Sequence, residues 1–329
     1  MRAGMMQAGL RLRVESALPW TDRMLREACG SALADDTGDQ APDVDVVVSA
    51  EKEPFGLVGW SPLTRGAFCR GGDVVLTNAC GSGFDLRVET RSRLGAQRIG
   101  VEARFRPPTR ERVAARALRS RFHLLTRAVL LQYPALWVAG LRGLTPLHAA
   151  AVTVGDAVPL LVGPGGVGRS TLLLQALADG GQACSDNLCT SDGWRAHGVV
   201  EPVRVEGLHG RRMPHGRAEG PLRNRVDSLV PDRLVVLQRS DSGSTHTREL
   251  SPAQAAEVLT AGTYMAGELR RYWAFAATLA MGTGVGPVHP PVQRIADLFA
   301  ERLPAIQITL GRRPSALAEL LTKPTELAS

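Results

Sequence analysis

Leu160-Leu161-Val162-Gly163-Pro164-Gly165-Gly166-Val167-Gly168-Arg169-Ser170-Thr171 decides how the second half of this chain folds. An apolar run leads into a glycine-rich loop, and a leucine-rich helical pattern follows it, so the stretch predicts strand, loop and helix in that order. From Gly163 the spacing is that of the phosphate-binding loop GxxxxGK[ST], except that Arg169 stands where lysine is expected. Glycines let such a loop curl with its N–H groups facing inward, and the positive end of the following helix adds to an anion site. The expected ligand is therefore a nucleoside triphosphate, ATP, held by Gly163, Gly165, Gly166, Val167, Gly168, Arg169, Ser170 and Thr171. Ser170 would offer its hydroxyl to Mg²⁺. Arginine keeps the charge of lysine but changes its geometry. With Lys52 and Lys323 the only lysines in the chain, Arg169 reflects either a general drift toward arginine or a loss of catalytic power. A structural glycine turn without a ligand is the plainer alternative.

Asp186 follows in Ala183-Cys184-Ser185-Asp186-Asn187, where a strand beside the loop strand is expected to end. Ligands of open α/β sheets bind outside the carboxyl ends of strands. A carboxylate there can hold Mg²⁺ or accept the proton of an attacking hydroxyl. Asp-Asn pairs also favour turns, which is the plainer reading.

Around this segment the pattern is α/β, with strands expected at Val158 to Val162, Gln182 to Ser185, Leu234 to Gln238 and Ile306 to Leu310. Helices are expected at Ser170 to Ala178, Pro252 to Ala261 and Val292 to Arg302. Toward the N-terminus the pattern has period two: Leu10, Leu12 and Val14 alternate with Arg11, Arg13 and Glu15, and Phe84, Leu86 and Val88 with Asp85, Arg87 and Glu89. Residues 1–108 thus read as a small, mainly antiparallel β domain with one helix near Thr21 to Leu33. Residues 109–143 read as linking helices, bent or restarted at Pro134, and 144–329 as the α/β domain.

Composition narrows the function classes. The chain has 329 residues and 44% hydrophobic content, enough for two domains with buried cores. No run of about 18 apolar residues occurs, and no secretory pattern opens the chain, so no membrane partner and a cytoplasmic location are expected. Cys29, Cys69, Cys80, Cys184 and Cys189 lack paired spacing, as reduced thiols do, and argue against zinc. The net charge of +7 favours acidic and phosphate-bearing partners. Spread arginines and an aromatic content of 5% argue against nucleic acid.

Leu147-His148-Ala149, the Gly163 to Thr171 loop, Gly180-Gly181 and Ser185-Asp186-Asn187 together resemble the catalytic domain of HPr serine kinase/phosphorylase and its relatives. That family has a P-loop fold like that of phosphoenolpyruvate carboxykinase. The resemblance covers about Leu144 to Leu310 and is closer to the HPr-kinase-like proteins associated with ribosomally made, modified peptides. It implies an α/β, P-loop, HPr-kinase-like C-terminal domain, ATP and Mg²⁺ as cofactors, a peptide or protein hydroxyl as acceptor, and a homo-oligomer, since such kinases often form closed oligomers. It also implies that His148 stands near the active site, although a lone histidine can equally be a packed core residue. Asp186 matches the first of a paired Asp-Asp, one serving as base or acid and the other binding Mg²⁺. Asn187 takes the second place and can bind a cation only through a neutral carbonyl. Metal ligands implied are Ser170, Asp186 and Asn187, and catalytic residues Asp186, His148 and Arg169.

Arg211, Arg212, Arg217, Arg223 and Arg225, with His209 and His215, fall in a glycine- and proline-punctuated stretch read as a long loop. It either closes over a triphosphate, grips an acidic peptide or is a solvated surface. Arg239 follows a strand and is expected in the same cleft. The leading expectation is an ATP-dependent kinase of a peptide or protein hydroxyl, with the β domain recruiting the substrate. The alternative is a degenerate nucleotide-binding module without turnover, whose occupancy controls a partner.

Overall fold

The computed structural model describes every residue except 37, 39, 94, 95, 207–210, 214, 215, 242, 313–315 and 323–329. His209 and His215 lie outside the described residues. The chain divides into two compact units, one formed by Met1–Gly143, Arg212–Gly216 and Arg270–Pro290, the other by Leu144–Arg211, Arg217–Leu269 and Pro291–Ser329.

The first unit is built on a nine-stranded sheet. Its strands are β1 (Arg2–Gln7), β2 (Leu10–Ser16), β3 (Ala34–Asp35), β4 (Val44–Ser49), β5 (Ser61–Thr64), β6 (Ala67–Arg70), β7 (Asp73–Leu76), β8 (Phe84–Arg93) and β9 (Ala96–Phe105), in the order β3-β1-β2-β4-β9-β8-β7-β6-β5. Alternation works as expected: Leu10, Leu12 and Val14 are fully buried while Arg13 turns outward to pair with Asp45. The pairing is mixed, however, because β2–β4 and β4–β9 run parallel. The helix α1 (Pro19–Cys29) carries the chain between β2 and β4, and such a crossover is what parallel neighbours need.

Residues 109–143 belong to this unit as α2 (Thr109–Ala117), α3 (Arg119–Arg127), a π-helical turn at Ala128–Gln132 and α4 (Tyr133–Leu141). The π turn precedes Pro134, whose missing N–H makes an interior helical position there unfavourable. Among the described residues one stretch, Arg119–Leu141, is long and apolar enough to cross a membrane, and 83% of its most apolar part is buried inside the protein. The helix Arg270–Thr283, assigned by its sequence position to the α/β half, also belongs here. Tyr272, Phe275, Ala276 and Leu279 form its buried face, and it packs on β5, β6 and β7.

The second unit is mixed α/β. It opens with β10 (Thr145–Leu147), β11 (Ala149–Val152) and β12 (Pro159–Val162), then α5 (Arg169–Ala178). Short strands follow: β13 (Ala183–Ser185), β14 (Cys189–Ser191), β15 (Ala196–Gly198), β16 (Val203–Glu206) and β17 (Arg211–Arg212), where the chain leaves this unit before returning at Arg217. It continues through β18 (Arg217–Gly220), β19 (Ser228–Leu229), β20 (Arg233–Arg239), β21 (His246–Glu249), α6 (Pro252–Met265), α7 as the helix Arg270–Thr283 of the first unit, α8 (Val292–Arg302), β22 (Ala305–Leu310) and α9 (Leu317–Thr322).

The central six-stranded sheet has the order β13-β11-β12-β20-β22-β21. β12, β20 and β22 are parallel, as their continuous apolar runs suggest. β11 lies between β12 and β13, so the Asp186 strand is not the direct neighbour expected of it. Both of those pairings are antiparallel, so β13 regains the direction of β12 and Asp186 emerges on the same edge as Gly163. Leu172, Leu173 and Leu177 of α5 bury against Leu161, Val235, Leu237 and Ile308 of the sheet.

Candidate functional site

The loop between β12 and α5 is held from below. Val167 is 4% exposed and packs into the core under α5, while Pro164, Gly165 and Gly166 remain exposed. Gly163 has φ 152°, and a Cβ placed there would meet the Leu237 carbonyl oxygen at 2.7 Å. Gly168, with φ 114°, caps α5 in a backbone conformation that a side chain disfavours. The first N–H groups of α5 have no intrahelical carbonyl, so their positive ends face the loop.

Ser170 donates from Oγ to Asp186 Oδ2 at 3.0 Å, joining the first turn of α5 to the end of β13. Asp186 is 4% exposed, and its Oδ1 has no hydrogen-bond partner. Burial raises the Asp186 pKa above the usual carboxylate value, against the opposing charge of Arg169 and the Ser170 hydrogen bond.

Arg169 points away from the loop. Its Nη2 donates to Asn187 Oδ1 at 2.6 Å and lies 2.8 Å from His148 Nε2, and its Nη1 donates to the His148 carbonyl at 3.4 Å. His148 Nε2 also lies 2.8 Å from Asn187 Oδ1, so the Arg169, His148 and Asn187 side chains meet at one point. Burial, followed by the Arg169 charge, lowers His148 to about 4, leaving the ring neutral at neutral pH. Burial lowers the Arg169 pKa as well. The His148 backbone N–H in turn donates to Thr263 Oγ1 of α6 at 3.1 Å.

These groups open onto a cavity of about 1230 Å³. It is lined by every residue from Gly163 to Thr171, by His148, Asp186 and Asn187, and by Arg217 and Arg239. Arg211 and Arg212 do not line it. Two expected roles change. The cation of Arg169 is taken up by His148 and Asn187 and does not reach over the loop. The Asn187 carbonyl is occupied by that cation, so its place among the Mg²⁺ ligands does not fit this arrangement. Ser170 and the unpartnered Asp186 Oδ1 do fit such an ion, and among the described residues no cluster of three His, Cys, Asp or Glu side chains offers another.

Sequence reasoning missed Glu201, Arg204, Glu268 and Arg312, which also line the cavity. Arg204 bridges Glu219 and Glu268, donating to each at 3.0 Å. Burial acts to raise Glu268, but the Arg204 charge and hydrogen bond, a backbone hydrogen bond and the His148 charge together outweigh it and keep the carboxyl below its ordinary value. No local motif marks these four, because β16, the end of α6 and the end of β22 are brought together only by folding.

Neither a family model nor a curated protein matches the sequence.

Proposed function

We propose that the second unit binds ATP on the Gly163 to Thr171 loop and transfers its terminal phosphate to a hydroxyl of a peptide or protein, as a relative of the HPr-kinase-like P-loop enzymes. The observation that carries this reading is the 3.0 Å Ser170–Asp186 hydrogen bond at the foot of a glycine loop, facing a cavity of about 1230 Å³. Mg²⁺, when bound, would neutralise charge on the phosphates, and Ser170 and Asp186 are the residues suited to hold it. The loop N–H groups and the start of α5 orient the phosphates. Asp186, at the end of β13 beside the loop, is also placed to receive the acceptor's hydroxyl proton as the acceptor oxygen bonds to phosphorus and the bond to the leaving diphosphate breaks.

One observation favours a second reading, nucleotide binding without turnover: Arg169 is turned inward and Asn187 carries no charge. Calorimetry with a Mg²⁺-bound, non-hydrolysable ATP analogue, followed by ATP consumption assays with serine- and threonine-containing peptides, separates the two. Saturable binding lost in Ser170→Ala, with phosphopeptide formation lost in Asp186→Ala, supports the kinase. Binding without any phosphopeptide supports the second reading. No binding at large ligand excess rejects both.

A further inference from the structure

Five arginines line the cavity: Arg169, Arg204, Arg217, Arg239 and Arg312. Two of them are committed, Arg169 to His148 and Asn187, and Arg204 to Glu219 and Glu268. Arg217, Arg239 and Arg312 are exposed and make no hydrogen bond or ion pair among the described residues. Arg217 starts β18, and its Nη2 lies 3.9 Å from where a Cβ on Gly166 would stand, which puts the guanidinium over the tip of the glycine loop. Arg239 ends β20, the parallel neighbour of β12, and Arg312 follows β22, the parallel neighbour of β20. Arg239 and Arg312 stand at the strand edge from which the loop springs, and Arg217 approaches the loop from the three-stranded sheet β16-β18-β17.

We propose that Arg217, Arg239 and Arg312, and not Arg169, face the terminal phosphates of a nucleoside triphosphate held on the loop. This rests on the nucleotide reading above. Three like charges around one cavity repel one another until an anion joins them. A guanidinium also matches phosphate with two parallel donors, which an exposed, uncommitted arginine is free to supply. The loop thus lacks the lysine of its motif but has positive charge arriving from three other strands. In this arrangement Arg169 acts as a positioning residue beneath the loop.

The test is calorimetric titration of the full chain, at low salt, with inorganic tripolyphosphate and with the Mg²⁺ complexes of ADP and of a non-hydrolysable ATP analogue. Wild type is compared with Arg217→Ala, Arg239→Ala, Arg312→Ala and, as a control away from the cavity, Arg233→Ala. Each rim variant is expected to weaken the ATP analogue and tripolyphosphate by about tenfold or more, with a smaller effect on ADP, while the control is unchanged. Thermal melts confirm that these surface variants fold. Wild-type binding with all three rim variants unaltered overturns the proposal and leaves the nucleotide reading standing. Equal losses for ADP and the ATP analogue overturn the assignment to the terminal phosphates. No binding by wild type to any of the three probes removes the proposal and the nucleotide reading together.

Discussion

The Nη2 of Arg169 donates to the Oδ1 of Asn187 at 2.6 Å inside the second unit, tying the first turn of α5 to the residue that follows Asp186. Because Arg169 is 7% exposed, Arg169→Ala would remove the charged donor shared by Asn187 Oδ1, the His148 ring and the His148 carbonyl and would open a cavity. The expected loss of stability is about 2–4 kcal/mol, read from denaturant unfolding. Full retention of stability would show that the cation contributes nothing beneath the loop.

Gly163→Ala tests the close approach of the loop to β20. A Cβ 2.7 Å from the Leu237 carbonyl oxygen cannot be accommodated without shifting backbone. The substitution is expected to cost about 2 kcal/mol or more and to abolish binding of the ATP analogue. Gly165→Ala meets nothing within 4 Å and is expected to leave stability unchanged.

His148 gives the unit a pH dependence whose sign follows from burial. The ring titrates near its ordinary 6.5 when unfolded and at about 4 when folded, so between those values the unfolded chain binds more protons. Its contribution is therefore intact above about pH 6.5 and is lost as pH falls toward 4, by roughly 3 kcal/mol in all. Asp186 acts in the opposite sense, since its raised value makes stability fall as pH rises above its unfolded value. The His148 contribution is isolated by comparing wild type with His148→Asn in urea titrations across this window. The stability advantage of wild type is expected to shrink on acidification, and a difference that does not change with pH would refute the assignment.

The cysteines should differ in reactivity. Cys29, Cys184 and Cys189 are buried, and burial raises Cys80 to about 12 and Cys184 to about 11. Iodoacetamide at pH 8 is therefore expected to modify native protein at Cys69 first, as read by peptide mass spectrometry. Early labelling of Cys184 would show that the β13 region opens readily.

Local chemistry made much of the second unit legible. The apolar run, glycines and leucines from Leu160 onward specify strand, turn and helix through nearest-neighbour effects, and α8 begins and ends where its periodicity places it. The alternation of Leu10, Leu12 and Val14 likewise marks a half-buried strand, because period two puts those side chains on one face. Asp186 was also legible as a residue at a strand end, although β11 was not foreseen between its strand and β12.

What the sequence alone determined is therefore the glycine loop, the helix behind it and the α/β character of its surroundings, all products of interactions within a few residues. Tertiary structure decided the rest. Parallel pairing of β2, β4 and β9 depends on which strands meet after α1 has crossed, and the return of residues 270–290 to the first unit depends on a buried helix face finding its sheet. The direction of Arg169 depends on His148, held by Thr263 from α6, and on Asn187 beyond β13. A long cationic side chain goes where buried acceptors meet it, and those acceptors come from segments that only folding brings together.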